Sequence, residues 1–411
     1  MRRPTATLAD LCLWSCLAAL LPGCGCDTVP PEAVTKCEAK ITIGSAATDI
    51  LFVIDESGSM LEEQQNLHDN LGDFVSALAR SPVKNDFRVG VTTTSVENFD
   101  PATSATYGAG PNACAGCAPY PQGALVAIER ANGAVVPNKL WYSAGAWLGP
   151  RILDSGTAAL VPDFEANVLL GTNGTGKEEP LRAARLALSA RIADGTNAGF
   201  LRPGARLAVV ILTDEDDCSD SNHRLPTSAS AGQDACHDPV RKFQAGQMDS
   251  IDDFVAFLTG PIEGEARDPV LAVIAGFNMT TGAATPRCST SFDAPTRLDA
   301  LVTALGTNAF KDSICRATFH DSLMSIADLL VPQTVPLQGA LPDPRMLAVS
   351  LKKASGAVVG CPVAAKGSAD AASAGAVYAP PTADAPATLT FQNACVLGSS
   401  DQVDIRIVCA G

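Results

Sequence analysis

Two unbroken apolar runs, residues 50–54 (Ile-Leu-Phe-Val-Ile) and residues 207–212 (Leu-Ala-Val-Val-Ile-Leu), constrain the fold of this chain more than any other feature. A strand with one wet face alternates apolar and polar residues. A run without alternation needs cover on both faces, as in a parallel sheet held between two layers of helices. Other segments fit that arrangement. Leu67, Leu71, Phe74, Val75 and Leu78 recur at helical spacing, 178–191 is an Ala/Leu/Arg-rich helix, and 251–258 and 323–330 are further amphipathic helices. Residues 87–91 and 270–275 have the texture of strands. Strands alternating with helices predict an α/β fold, doubly wound, with a mainly parallel sheet and helices on both faces.

A chain of 411 residues exceeds one average domain, and the sequence divides accordingly. Residues 46–333 carry the α/β pattern, interrupted by a Gly/Pro/Ala/Asn-rich insertion at about 95–163. Residues 334–411 lack helical periodicity; short strand-like segments at 346–351, 387–391 and 403–408 predict a small β-rich C-terminal domain, stapled among Cys361, Cys395 and Cys409. At the other end, Arg2 and Arg3 precede a short apolar run, residues 11–21, that is too short to span a bilayer as a mature helix. It ends in Leu21-Pro22-Gly23-Cys24, which resembles a bacterial lipobox. Residues 1–23 are therefore expected to be a lipoprotein signal peptide, Cys24 the lipidated residue and 24–45 a tether. The alternative is an ordinary secretory signal cleaved nearby. On either reading the protein is exported; the lipoprotein reading places it at the cell envelope, lipid-anchored, with the outer membrane as the expected surface.

Cysteine usage agrees with export. Of 14 cysteines, Cys12 and Cys16 leave with the signal and Cys24 carries lipid, so 14 − 3 = 11 remain, widely spaced as disulfide cysteines are. Cys114 and Cys117 are expected to form a local bridge, and Cys218 with Cys236 another. The odd count leaves one cysteine, Cys26 for instance, free or paired between molecules. A net charge of −15 argues against a nucleic-acid partner, because phosphate binding needs a basic surface.

Each apolar run hands over to acidic residues, and the chemistry gathers there. Asp55-Glu56-Ser57-Gly58-Ser59 follows the first run where a helix is about to begin, and Thr213-Asp214 follows the second. Ligands of open α/β sheets bind at the carboxyl ends of the strands. Two hydroxyls one residue apart on a tight turn can face one hard cation, with a carboxylate supplying charge. The alternative is that Asp55 and the serines only cap the following helix.

The D-x-S-x-S pattern at Asp55, Ser57 and Ser59 resembles the metal-ion-dependent adhesion site of the von Willebrand factor type A (VWA) family, which adds a distant Thr and Asp. Thr175 has the family's spacing to an apolar helix position at Leu181, and Asp214 follows the central strand. The resemblance covers residues 46–333, with the insertion as a departure, and the overall layout is similar to exported VWA proteins of myxobacterial type. It implies that Asp55, Ser57, Ser59, Thr175 and Asp214 hold Mg²⁺ (or Mn²⁺ or Ca²⁺), with one coordination position left for an acidic side chain of a protein partner. The function so implied is non-enzymatic, metal-dependent adhesion by an envelope lipoprotein that takes neither nucleotide nor nucleic acid.

Two other readings stay in view. One is a structural envelope protein whose metal only stabilises the fold. The other is a P-loop NTPase or hydrolase, since 171–177 is a near-miss Walker A; Glu178 stands where that motif needs Ser or Thr. On the adhesion reading Lys177 takes no part. The acidic run Glu215, Asp216, Asp217 and Asp220 is expected to be a solvated loop, with a second cation as the alternative. His68, His223, His237 and His320 fall in no recognisable catalytic motif.

Overall fold

The computed structural model describes residues 42–96, 121–172, 174–222, 247–285, 291–338 and 344–407 apart from positions 141, 144, 145, 292 and 384, together with 99–100, 105–106 and Cys236. The signal, Cys24, most of the tether, Cys114, Cys117, His223, His237 and Cys409 lie outside the described residues.

A six-stranded sheet forms the centre. Its strands are β1 (Ala46–Ile54), β2 (Asn85–Thr93), β3 (Ile152–Asp154), β4 (Arg206–Leu212), β5 (Val270–Ala275) and β6 (Ala309–Ser313), in the spatial order β3-β2-β1-β4-β5-β6. All neighbours are parallel except β3, which pairs antiparallel with β2 along the edge. The helices of more than one turn are α1 (Leu61–Arg80), α2 (Leu160–Val168), α3 (Pro180–Leu188), α4 (Ile251–Thr259), α5 (Thr296–Leu305) and α6 (His320–Leu330).

The unbroken runs behave as doubly buried strands must. Ile50, Phe52 and Ile54 of β1, with Ala208, Val210 and Leu212 of β4, share one core with α1, α2 and α6. The intervening Leu51, Val53, Leu207, Val209 and Ile211 share the other with α3, α4 and α5. Local signals set the helix ends. Pro82 forces Ser81 out of helical backbone and stops α1. Pro180 opens α3 at a position that needs no N–H donor. The Ser250 hydroxyl accepts from Asp253 N at the start of α4.

Three expectations change. The helix expected over 178–191 begins only at Pro180, so Glu178 and Glu179 precede it, and it breaks at Ser189 before a short helical turn, Ala190–Ala193. The supposed insertion is partly core: Leu125 and Val126 are buried, Val126 N donates to Val91 O, and Ile152–Asp154 supplies the antiparallel edge strand. The tether ends sooner than 45, because Thr42 and Ile43 pair antiparallel with Gln338 and Leu337.

That pairing joins the start of the chain to the C-terminal region, which is β-rich as expected. Its strands are β7 (Thr334–Gln338), β8 (Leu347–Lys352), β9 (Val358–Cys361), β10 (Val363–Ala365), β11 (Ala376–Ala379), β12 (Thr388–Phe391) and β13 (Gln402–Ile407). They form one sheet in the order Thr42–Ile43, β7, β12, β11, β10 and a second in the order β9, β8, β13. Val83 and Val331 of the α/β unit enter their shared core. Asp328 of α6 accepts hydrogen bonds from Ser399 N at 2.7 Å and Ser399 Oγ at 2.6 Å.

Disulfides Cys218–Cys236 and Cys361–Cys395 fit an exported or extracellular protein, since such bonds persist in oxidising compartments. Among the described residues no helix is long and apolar enough to cross a membrane.

Phe52 lies at the heart of the first core, edge-on to Phe74 and Phe164 with ring centroids 6.0 and 5.0 Å away. Phe52→Ala is expected to destabilise the α/β unit by about 3–5 kcal/mol, read as a lowered denaturant midpoint.

Candidate functional site

Three segments meet where β1 and β4 end: residues 55–59, 171–179 and 213–217. The parallel pairing sets Ile54 opposite Leu212, and Asp55 N donates to Leu212 O at 2.9 Å. Both strands therefore end level, with Asp55 beside Thr213 and Asp214 one residue on. The chain leaves β1 toward β2 on one side, while β4 continues toward β5 on the other. This reversal of strand order opens the crevice in which open α/β sheets bind ligands.

Asp55 is fully buried. One of its oxygens accepts from Ser57 N and the other from the Thr213 hydroxyl, each at 2.7 Å. The Ser57 and Ser59 hydroxyls stand 3.3 Å apart, and Gly58 and Ser59 are exposed, forming the rim. None of these side chains caps the helix: Met60 occupies the N-cap position of α1, without a side-chain capping bond.

The second segment is fastened to the first at several points. Gln64 Nε2 donates to the carbonyls of Asp55 and Gly171, both at 2.8 Å, while its Oε1 accepts from Gly171 N at 2.8 Å. Gly174 N donates to Glu56 O at 2.7 Å, an approach that needs glycine, because a Cβ there would lie 2.7 Å from Glu56 Cγ and 2.8 Å from Glu56 O. Thr175 is buried beside Ser95, and its hydroxyl donates to Lys177 O at 2.8 Å, leaving the oxygen lone pairs as its acceptor side.

Asp214 completes the set and is its most exposing member in energetic terms. It is 1% accessible, and neither carboxylate oxygen has a hydrogen-bond partner of normal geometry. Burial pushes its carboxyl up to about 8, the negative charge of Asp55 adds to the push, and the nearby Ser59 hydroxyl offsets only part of it. Burial raises Asp55 too, against the lowering effect of its hydrogen bonds.

Two further carboxyl groups belong here that the motif does not name. Glu56 is pushed up to about 7, chiefly by burial, and its Oε2 accepts weakly from Thr94 N and the Thr94 hydroxyl at 3.3 and 3.4 Å. Glu178 is fully buried, and its Oε2 also accepts from the Thr94 hydroxyl. Burial first, then Asp55, Glu215 and Glu56, hold Glu178 well above the usual carboxylate range. Glu56 Oε1 and Glu178 Oε1 are buried without hydrogen-bond partners. The available sequence signal was position: Glu56 lies inside the D-x-S-x-S pattern and Glu178 three residues after Thr175.

The donor set is hard oxygen throughout: carboxylates and hydroxyls at a strand edge, several of them buried and unsatisfied. That chemistry fits a hard divalent cation. Among the described residues, no group of three or more Asp, Glu, His or Cys side chains is placed to hold an ion.

The acidic run after Asp214 is not the solvated loop expected from sequence. Asp216, Asp217 and Asp220 are all fully buried. Asp216 accepts from Arg297 N and the Thr296 hydroxyl at the start of α5; Asp217 accepts from Leu181 N at the start of α3 and pairs with Arg297 at 2.9 Å. Both thus serve as helix-end anchors. The P-loop reading meets a similar obstacle. Residues 171–177 follow helix α2, not a strand, and Lys177 is fully buried, 3.4 Å from Glu179 and 3.8 Å from Asp220. His68 and His320 sit beside Asp69 and Asp73, with partly exposed side chains.

Neither a family model nor a curated relative matches the chain. Solved structures align weakly. Proximal thread matrix protein 1 of the mussel byssus aligns at 14% identity and TM-score 0.34, over 71% of this chain and 50% of that one. The pilus adhesin SpaC of Lactobacillus rhamnosus GG gives 11%, 0.38, 89% and 39%. The human COPII-coat protein Sec24c gives 11%, 0.31, 75% and 34%. The chain thus spans half or less of each, and at such low scores the likenesses carry no weight for function.

Lys177 takes part in the architecture, whatever its role in binding. Lys177→Ala is expected to cost about 3–5 kcal/mol, because Glu179 and Asp220 would lose a buried counter-charge. Thermal or denaturant unfolding of the variant measures it.

Proposed function

We propose that residues 46–333 are a VWA-type domain that takes up a divalent cation at the edge of β1 and β4, and that the protein is a non-enzymatic binding protein of the cell envelope, lipid-anchored through Cys24. The observation that carries the reading is Asp214: a buried carboxyl group with neither oxygen hydrogen-bonded, beside the equally buried Asp55 and Ser57, with Ser59 exposed at the rim. Burying a carboxyl group without hydrogen-bond partners is costly, and a bound cation would offset that cost.

Asp55, Ser57, Ser59, Thr175 and Asp214 would hold the ion. When bound, Mg²⁺, Mn²⁺ or Ca²⁺ would supply positive charge and an open coordination position for an acidic side chain of a protein partner. The residues prepare that contact. Thr213 and Ser57 N fix the rotamer of Asp55, Gln64 clamps the 171–175 loop onto it, and exposed Ser59 keeps one side of the site open to a partner. An overall charge of −15 suits a protein that attracts cations, and offers nothing to nucleic acid or nucleotide.

Calorimetric titration of the mature protein with Mg²⁺ and Mn²⁺ tests the site, with circular dichroism as the folding control. One strong site is expected. Asp55→Ala should abolish binding, Ser57→Ala and Ser59→Ala should each weaken it strongly, and Thr175→Ala and Asp214→Ala should act more on partner capture from envelope extract. A folded wild type that takes up no divalent cation sinks the reading. Partner capture that survives chelation leaves the ion only a fold-stabilising role.

A further inference from the structure

Residues 213–220, which follow β4, are all buried, yet the hydrophobic effect does little to hold them there. They carry five carboxyl groups, Asp214, Glu215, Asp216, Asp217 and Asp220, and a single apolar side chain, Cys218. Cys218 belongs to neither core of the central sheet. It packs with Cys236, to which it is disulfide-bonded, and with Met248, in a small cluster of its own.

The same segment holds the chain that continues from Thr175. A seam of polar bonds fastens the two together. Cys218 N donates to Glu178 O at 2.7 Å and Leu181 N to Asp217 Oδ1 at 3.1 Å. Arg182 N donates to Ser219 Oγ at 2.9 Å and Asp220 N to Glu179 Oε1 at 3.0 Å. Cys218 stands in the middle of this seam, four residues after Asp214, and its partner Glu178 is three residues after Thr175. Water competes for each of these bonds, so each contributes modestly to stability. A covalent bond cannot be exchanged for water. The disulfide fixes Cys218, and through the seam it fixes where Thr175 stands relative to Asp214. The other disulfide, Cys361–Cys395, lies in the core of the C-terminal β-rich region and touches no part of the seam.

We infer that the Cys218–Cys236 disulfide gates the cation site: with the bond formed, Thr175 and Asp214 are held in place for the ion, and with it reduced the seam loosens and affinity falls. The inference rests on the proposed cation site and supplies its regulation. Forming the bond joins the two sulfurs. Their two protons and two electrons pass to a disulfide-bearing oxidant, which leaves as two thiols after exchange through a mixed disulfide. The site therefore becomes fully competent only in an oxidising compartment. The coupling is reciprocal: whatever factor the disulfide adds to cation affinity, a saturating cation adds to the ratio of disulfide to dithiol.

The test begins with calorimetric titration of Mg²⁺ into the full mature chain and two double variants, Cys218→Ser/Cys236→Ser and Cys361→Ser/Cys395→Ser, with circular dichroism on each. Removing the first disulfide should lower Mg²⁺ affinity about ten- to a hundredfold, as losing the support behind a metal ligand does. Removing the second should lower thermal stability and leave the affinity unchanged. A second measurement needs no variant and decides the matter should Cys218→Ser/Cys236→Ser fail to fold. Wild type is equilibrated with mixtures of reduced and oxidised dithiothreitol, with and without saturating Mg²⁺, and each disulfide is quantified by alkylation and mass mapping. Mg²⁺ should shift Cys218–Cys236 toward the disulfide by the same factor and leave Cys361–Cys395 where it was. Wild-type affinity in a folded Cys218→Ser/Cys236→Ser variant, equal effects at the two disulfides, or a Cys218–Cys236 equilibrium insensitive to Mg²⁺ would each overturn the gate. The cation site itself would still stand, provided wild type binds Mg²⁺ and Asp55→Ala does not. A folded wild type that binds no Mg²⁺ overturns both.

Discussion

The parallel pairing of β1 with β4 is the constraint on which the rest of this structure depends. Seven residue pairs, from Thr48–Arg206 to Ile54–Leu212, hold the two strands in register. Each strand has apolar side chains on both faces, so helices must cover both sides. Where the pairing stops, Asp55 lies level with Thr213 and Asp214 follows one residue on, and Gly58 and Ser59 are exposed just beyond. Fold and site thus share one cause: strands that must be buried along their length and that end in charge.

Holding carboxylates at such an edge requires scaffolding, and much of the surrounding polar structure supplies it. Gln64 joins two loops by three hydrogen bonds at 2.8 Å. Asp216 and Asp217 anchor the starts of α5 and α3 and engage Arg297, while Lys177, Glu179 and Asp220 form a buried ionic group beneath the 171–179 segment. The Cys218–Cys236 disulfide ties down the chain just beyond. These groups have partners and act as structure. Asp214, Glu56 and Glu178 retain buried carboxyl oxygens without a hydrogen-bond partner, whereas Asp216 and Asp217 are bonded to helix N-termini and Arg297.

The C-terminal β-rich region is joined to the α/β unit at both of that unit's ends. Thr42–Ile43 enters its sheet immediately before β1, and β7 begins it soon after α6. Val83 and Val331 pack into its core, and Asp328 is bonded to Ser399. The carboxyl edge of the central sheet is left to loops and helix starts.

By itself the sequence determined the alternation of buried strands and amphipathic helices, because apolar periodicity is a local record of how many faces of an element must be buried. It also determined the three segments that form the site, since Asp55, Ser57, Ser59, Thr175 and Asp214 stand at the ends of elements that periodicity delimits. Other features had no local record. Strand β6 (Ala309–Ser313) has the mixed pattern of an edge, helix α5 carries a weak apolar stripe, and β3 lies inside a Gly/Pro-rich stretch. Their identity comes from the neighbours they pair with or cover. The fate of each acidic residue was likewise decided only by tertiary structure. Glu178, Asp214, Asp216 and Asp217 look alike along the chain, but Asp216 and Asp217 meet helix N-termini and an arginine, whereas Glu178 and Asp214 are folded into an edge crowded with other carboxylates. Burial and the sign of the neighbouring charge separate an anchoring carboxylate from an unsatisfied one, and both are properties of the packed molecule.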